Sequence, residues 1–148
     1  MKLLQSIDKI LASLGNIKAM ERTHVDTYTE DLIRNIEGKK IAESKYGQLL
    51  VSFQNVSIYK FLNVAILSGS NVKTFNGCSL IFVNNKKETI LWSDTKEIES
   101  DYSNVSNRWL TKISFVVSEA EEKMIVEQKF DKVFLNYKKK SLPMNKCN

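Results

Sequence analysis

Catalysis, metal binding and thiol chemistry draw on a short list of side chains, and this sequence holds few of them. His24 is the only histidine, so a histidine-rich metal site is excluded. It falls in an apolar row between Met20 and Tyr28, which reads as a hydrogen-bonded, partly buried imidazole rather than a general base. Cys78 lies inside the apolar run Gly77–Val83, where a thiol behaves as a small hydrophobe. A Cys78–His24 dyad would want that thiol at a helix N-terminus or in a basic pocket, and a mid-strand position is neither. There is no CxxC pair, P-loop, GxGxxG or GxSxG pattern. The expectation is a chain that is not an enzyme and needs no cofactor.

Two charged clusters remain. Asp94, Glu97, Glu99 and Asp101 gather four carboxylates in one short string, SDTKEIESD. If Lys96–Tyr102 is extended, Glu97, Glu99 and Asp101 project to one face, and oxygens from Ser103–Asn107 could complete a cage for a hard cation. The string lacks the glycine turn and fixed oxygen spacing of an EF-hand, so a solvated edge that resists sheet-to-sheet aggregation is the preferred reading. The second cluster is Lys138, Lys139, Lys140 and Lys146. All 17 acidic residues lie between Asp8 and Asp131, and five of the 22 basic ones follow them. The body is therefore electrically neutral and the excess of +5 sits at the C-terminal end. With Tyr137 the only aromatic nearby, a solubilising terminus is expected ahead of contact with nucleic acid or an anionic membrane.

The elements that must position these groups follow from periodicity. Leu3, Leu4, Ile7, Ile10, Leu11 and Leu14 recur at helical spacing within residues 2–14 and form one apolar stripe, with Gly15 placed to end the helix. Whether that stripe packs on its own sheet or on another protein is open, and these six residues are the candidate partner contacts. Residues 17–37 read as a second helix through Ile17, Met20, His24, Tyr28, Leu32 and Ile36. Thr23, Val25, Thr27 and Thr29 weaken its first half; Thr27 with Glu30 gives a capping-box start for a shorter helix, Tyr28 to Glu37.

After Tyr46 the period drops to 2. Leu49, Val51 and Phe53, then Leu62, Val64 and Ile66, then Cys78, Leu80 and Phe82 each line one face, and Ile81 and Val83 face the other way. Asn84–Lys87 reads as a hairpin turn in which asparagine tolerates positive φ, and Ile90 and Trp92 lie on the returning arm. Arg108–Val117 is the cleanest strand, with Trp109, Thr111, Ile113, Phe115 and Val117 on one side. Ser118 and Glu121 form a capping box for a short helix with Ala120, Met124 and Ile125 toward the core. Val133–Tyr137 is the last expected strand.

These readings give an α+β single domain over 1–148. It has a helical segment of one or two helices (1–38), a β-rich body (46–138) and a basic tail (139–148). The body is an antiparallel sheet, sandwich or partly open barrel of about six strands, with one short helix before the last strand. The polar interruptions Gln5, Ser6, Asp8 and Lys9 argue against a signal peptide, and no run of apolar residues is long enough to span a bilayer. A lone pair of cysteines points to a reducing, cytoplasmic setting. The functional expectation is a non-catalytic protein–protein interaction or assembly subunit, whether a stoichiometric binder of the immunity kind or a structural part of a phage or other assembly. Its partner would be another protein or a second copy. The alternatives are a small-ligand or cation-binding β domain using Asp94–Asp101, and nucleic-acid or anionic-membrane contact through the lysines.

Overall fold

The computed structural model describes residues 27–147. The expected helix at 2–14, Gly15, and the stretch carrying Ile17, Met20 and His24 lie outside the described residues. The chain enters through α1 (Tyr28–Arg34) and then forms β1 (Lys39–Ser44), β2 (Gly47–Val56), β3 (Tyr59–Ser68), β4 (Ser79–Asn84) and β5 (Lys87–Trp92). It continues through β6 (Ser100–Tyr102), β7 (Trp109–Val117), α2 (Glu119–Val126), β8 (Lys132–Tyr137) and β9 (Lys140–Lys146). The strands make one antiparallel sheet in the order β5-β4-β8-β9-β1-β2-β3-β7-β6. No helix among the described residues is long and apolar enough to cross a membrane.

The α+β class and the antiparallel sheet agree with the sequence. The strand count does not: the described residues hold nine strands where about six are expected. The sheet curls so far that its first and last thirds meet. Ser93, just past β5, bridges Phe115 of β7, and the Asp94 amide donates to the Ser114 carbonyl at 2.8 Å. The edge of β7 is thus shared, with Trp109–Thr111 paired to β6 and its later part meeting the end of β5. The result is a half-barrel drawn nearly shut.

The alternation read from the sequence decides what lies inside. Leu49, Leu62, Ile66, Leu80, Phe82, Phe115, Val133 and Leu135 all turn inward into one cluster. Val72 and Ile98 from the loops, with Ile125 and Phe130 near α2, belong to the same cluster. Phe82 and Phe130 meet edge to face at 5.1 Å, the arrangement aromatic quadrupoles favour. The barrel interior is a packed core.

Two elements are corrections to the sequence reading. The supposed tail 139–148 holds β9, an interior strand paired with β8 along its length. Lys138 takes a positive φ of 53° at the turn, and Leu142 and Met144 then alternate into the core. Pro143, which argues against a strand, sits where β9 pairs with β8 but its ladder to β1 has stopped: only Ala42↔Lys146 and Glu43↔Asn145 pair there. A missing N–H breaks no bond on that side, and the Pro143 carbonyl accepts from Ser44 Oγ at 2.7 Å. The second correction is β1, which begins at Lys39 rather than after Tyr46. Its alternation is masked by a register shift between Lys40 and Ala42, which turns both Ile41 and Ala42 inward. The late helix accordingly precedes the last two strands.

At α2 the capping box is formed as read: the Glu121 amide donates to Ser118 Oγ at 3.1 Å, and the Ser118 amide donates to Glu121 Oε1 at 2.8 Å. Ile125 is buried and Met124 packs against the core, but Ala120 is exposed. The Asn84–Lys87 hairpin is also present, with Asn85 at φ 56°.

Gly38 joins α1 to β1 at φ +133°, and a Cβ there would stand 2.7 Å from the Val51 carbonyl oxygen. Both the dihedral and the close approach demand glycine. Gly38→Ala is expected to lower the unfolding free energy by about 1–3 kcal/mol. Gly69→Ala, where nothing lies within 4 Å, is expected to be close to neutral. Urea titration of the two variants followed by far-UV circular dichroism measures the difference.

Candidate binding surfaces

The residues singled out for chemistry are scattered. Cys78 is buried; its amide donates to Ser93 Oγ at 3.0 Å. Burial pushes its thiol up to about 11, outweighing the Ser93 contact, so it stays protonated at neutral pH and is a poor nucleophile. Cys147 is also raised, first by desolvation and then by Glu43, whose Oε2 accepts from its Sγ at 3.6 Å. His24 lies outside the described residues, so the dyad has no described partner.

Asp94, Glu97, Glu99 and Asp101 are all exposed. Only Ser100–Tyr102 of the expected strand is regular, and Ile98 bridges Thr74 instead. Glu99 is within 3.6 Å of Lys73 Nζ. Among the described residues no three His, Cys, Asp or Glu side chains stand close enough to share a metal ion. The lysines separate as well. Lys138 and Lys139 form the β8–β9 turn, and Lys140 starts β9 with its Nζ 6.0 Å from the Tyr137 ring centre. Lys146 ends that strand, about 20 Å away by strand rise, and donates to the Gln128 carbonyl at 3.4 Å.

What the structure does assemble is a buried carboxylate whose main partners lie far along the chain. Glu30 in α1 is 7% exposed. Its Oε1 accepts from Ser103 Oγ at 2.7 Å and from Ser106 Oγ at 2.6 Å. Its Oε2 lies 3.8 Å from Arg108 and 3.9 Å from Arg34. The expected capping box therefore does not form at this helix. Thr27 makes no side-chain cap and donates to Asp31 instead, while Glu30 reaches across to the β6–β7 loop. The two serine hydroxyls, then the arginines, hold its carboxyl below the usual 4.5, against the opposing effect of burial. This is a clamp that fastens α1 to the outer face of the sheet.

The clamp divides the outer face. Over β2, β3 and β7, α1 seats Ile33 on Ala65, Leu67 and Leu110, with Leu32, Ile36 and Leu50 packed around them. Beside it runs an open groove of about 520 Å³ whose lining includes Asn35, Ser52, Asn63, Thr95, Lys112 and Ser114. Its lining mixes apolar Ile36, Val64, Ala65 and Ile113 with polar groups that are partly self-satisfied: Asn63 donates to Gln54 at 3.2 Å and the Thr95 and Ser114 hydroxyls meet at 3.3 Å.

Over β5, β4, β8 and β9 the outer face is different. Ile90 pairs with Ile81, Ile81 with Phe134, and Phe134 with Pro143. These four form an apolar row across four strands on the side opposite Leu80, Leu91 and Leu135. Trp92 stands on the same face one register step along, 72% exposed, and Ile90 is 43% exposed. Neither described helix lies over this row: α1 packs on the other half and α2 contributes to the core.

Two expectations follow. Because the Glu30 carboxyl is depressed in the folded state, its contribution is fully present above the unfolded value near 4.5 and is lost as pH falls through the lower folded value. Hydrogen exchange of the Ile33 and Ser106 amides should therefore quicken at acid pH in the native chain, and Glu30→Gln should flatten that dependence. A disulfide reagent at pH 8 should modify Cys78 only on unfolding.

No known family model matches this chain, and neither a curated protein nor a solved structure matches it.

Proposed function

We propose that this protein is a non-catalytic protein-binding module that engages its partner through the apolar row Ile90–Ile81–Phe134–Pro143 with Trp92 at its corner. The row itself carries the reading. A solvated face of an antiparallel sheet ordinarily alternates to polar residues, whereas here four cross-strand neighbours in succession are apolar. A contiguous apolar patch rimmed by polar side chains is the usual mark of a contact surface, and exposed tryptophan is enriched where binding energy concentrates. Glu88, Lys87 and Lys132 form a charged margin at one end of the row, in keeping with the polar rim of transient interfaces.

A second reading rests on the groove beside α1. Lys112 projects there with no carboxylate in ion-pair range among the described residues, next to Asn63, Ser52 and Ser114, a setting that suits a small polar ligand better than a protein.

The full chain, immobilised and exposed to lysate of its host, is expected to capture a protein identifiable by mass spectrometry. Ile90→Asp/Phe134→Asp should lose that capture while keeping the native circular dichroism and melting temperature, because both side chains face away from the core. Lys112→Ala should leave it intact. Capture that survives the double aspartate variant sinks the proposal, as does a wild-type chain that elutes as a monomer and retains nothing.

A further inference from the structure

We infer that the groove beside α1 takes a small zwitterion of dipeptide size, its carboxylate held by Lys112 and its ammonium by Glu37. This rests on the second reading above and gives that polar ligand a chemistry.

The groove is a gap in the cover of one sheet face. Successive cross-strand rows on the outer side of β2, β3 and β7 are Gln48–Leu67–Leu110, Leu50–Ala65–Lys112, Ser52–Asn63–Ser114 and Gln54–Phe61–Val116. Helix α1 packs Ile33 and Ile36 on the apolar members of the first two, and Phe61 and Val116 give the fourth its bulk. The third row holds two serines and an asparagine, so no large side chain fills the space past the helix end.

That row keeps hydrogen-bonding capacity in reserve. Asn63 donates its amide to Gln54, which leaves its Oδ1 free to accept, and Ser52 Oγ bonds no other side chain among the described residues. A hydroxyl and an amide oxygen at neighbouring cross-strand positions suit the C=O and N–H of one peptide group. Ala65, in the next row, leaves room for a short apolar side chain beside it.

The charges of the lining decide the ligand's own. Lys112 and Glu37 both line the groove, both are exposed, and neither forms an ion pair with a described residue. Lys112 stands on β7, whereas Glu37 precedes Gly38, which lies against Val51 of β2. Two strand spacings, about 10 Å, separate those backbones. A dipeptide spans about 7 Å between its termini, and an ion pair at each end closes the remainder. A simple anion seated at Lys112 would face the Glu37 carboxylate, and a simple cation at Glu37 would face Lys112. A molecule carrying both charges is favoured at both ends.

Titrating L-alanyl-L-alanine into the nitrogen-15-labelled full chain should move the amide resonances of Ser52, Asn63 and Ser114 to saturation. N-acetyl-alanyl-alanine lacks the ammonium and alanyl-alaninamide lacks the carboxylate, so each should bind at least about fivefold more weakly. Lys112→Ala should weaken alanyl-alanine by a similar factor without weakening alanyl-alaninamide. Glu37→Gln should weaken alanyl-alanine without weakening the N-acetyl form. Both side chains are exposed, so the melting temperature of either variant should match the wild type. Equal binding of the free and capped peptides overturns the proposal and leaves the polar-ligand reading standing. The same holds if a neutral disaccharide moves these amides while alanyl-alanine does not. Amides that stay still with every peptide and with the disaccharide sink both readings.

Discussion

The seam between the end of β5 and the later half of β7 is the constraint on which the architecture turns. An open nine-stranded sheet has two faces, and each needs a second layer if it is apolar. Here the inner face finds that layer in itself. Curling brings Leu80, Phe82 and Leu91 opposite Leu62, Ile113 and Phe115, and the seam fixes the curl. Ser93 is the residue on which closure depends. Its amide donates to the Cys78 carbonyl, its hydroxyl accepts from the Cys78 amide and donates to the Thr95 carbonyl, and its neighbour Asp94 donates to Ser114. A serine just past the strand end thus satisfies backbone groups that a closing sheet would leave unpaired.

Once the inner face is closed on itself, every remaining question concerns the outer face. Helix α1 is seven residues long, too short to persist alone, and it holds because Ile33 docks on Ala65, Leu67 and Leu110 while Glu30 is locked to the β6–β7 loop. That loop is in turn organised by the same serines: the Val105 and Ser106 amides donate to Ser103 Oγ. Helix and loop order each other. The buried carboxylate has four partners among the described residues, two serine hydroxyls and two arginines, and holds helix and loop together. The groove beside it and the apolar row across the seam are the parts of the outer face that neither described helix covers.

What could be read from the sequence is what depends on neighbours along the chain. The two faces of β7 follow from strict alternation between Trp109 and Val117, and the α2 start follows from Ser118 and Glu121 three residues apart. Both are local patterns with one physical solution. The Asn85 turn is legible for the same reason. Strand β9 was hidden because Pro143 and flanking lysines obscure the alternation of Leu142 and Met144, and only its seat beside the end of the β1 ladder makes that proline tolerable. Strand β1 was hidden by a bulge. Glu30 shows only its local pairing with Arg34 four residues on, since its other partners lie more than seventy residues away and its spacing from Thr27 imitates a cap that is not made.

The apolar row shows the same division more sharply. That Ile81 faces away from Leu80 and Phe82, and that Ile90 and Trp92 share a parity, is plain from periodicity. That Ile81 meets Phe134, and Phe134 meets Pro143, depends on β8 inserting between β4 and β9, a choice of partner that the chain makes across some fifty residues and that no local pattern encodes. A single exposed isoleucine needs no explanation. Four apolar side chains in register across four strands do, because an uncovered apolar row beside the β5 edge would otherwise invite sheet-to-sheet association. The charged pair Lys87 and Glu88 guards only the hairpin end of that edge. For the contact proposed above, the strand pairing, rather than any one residue, is what makes the row a surface.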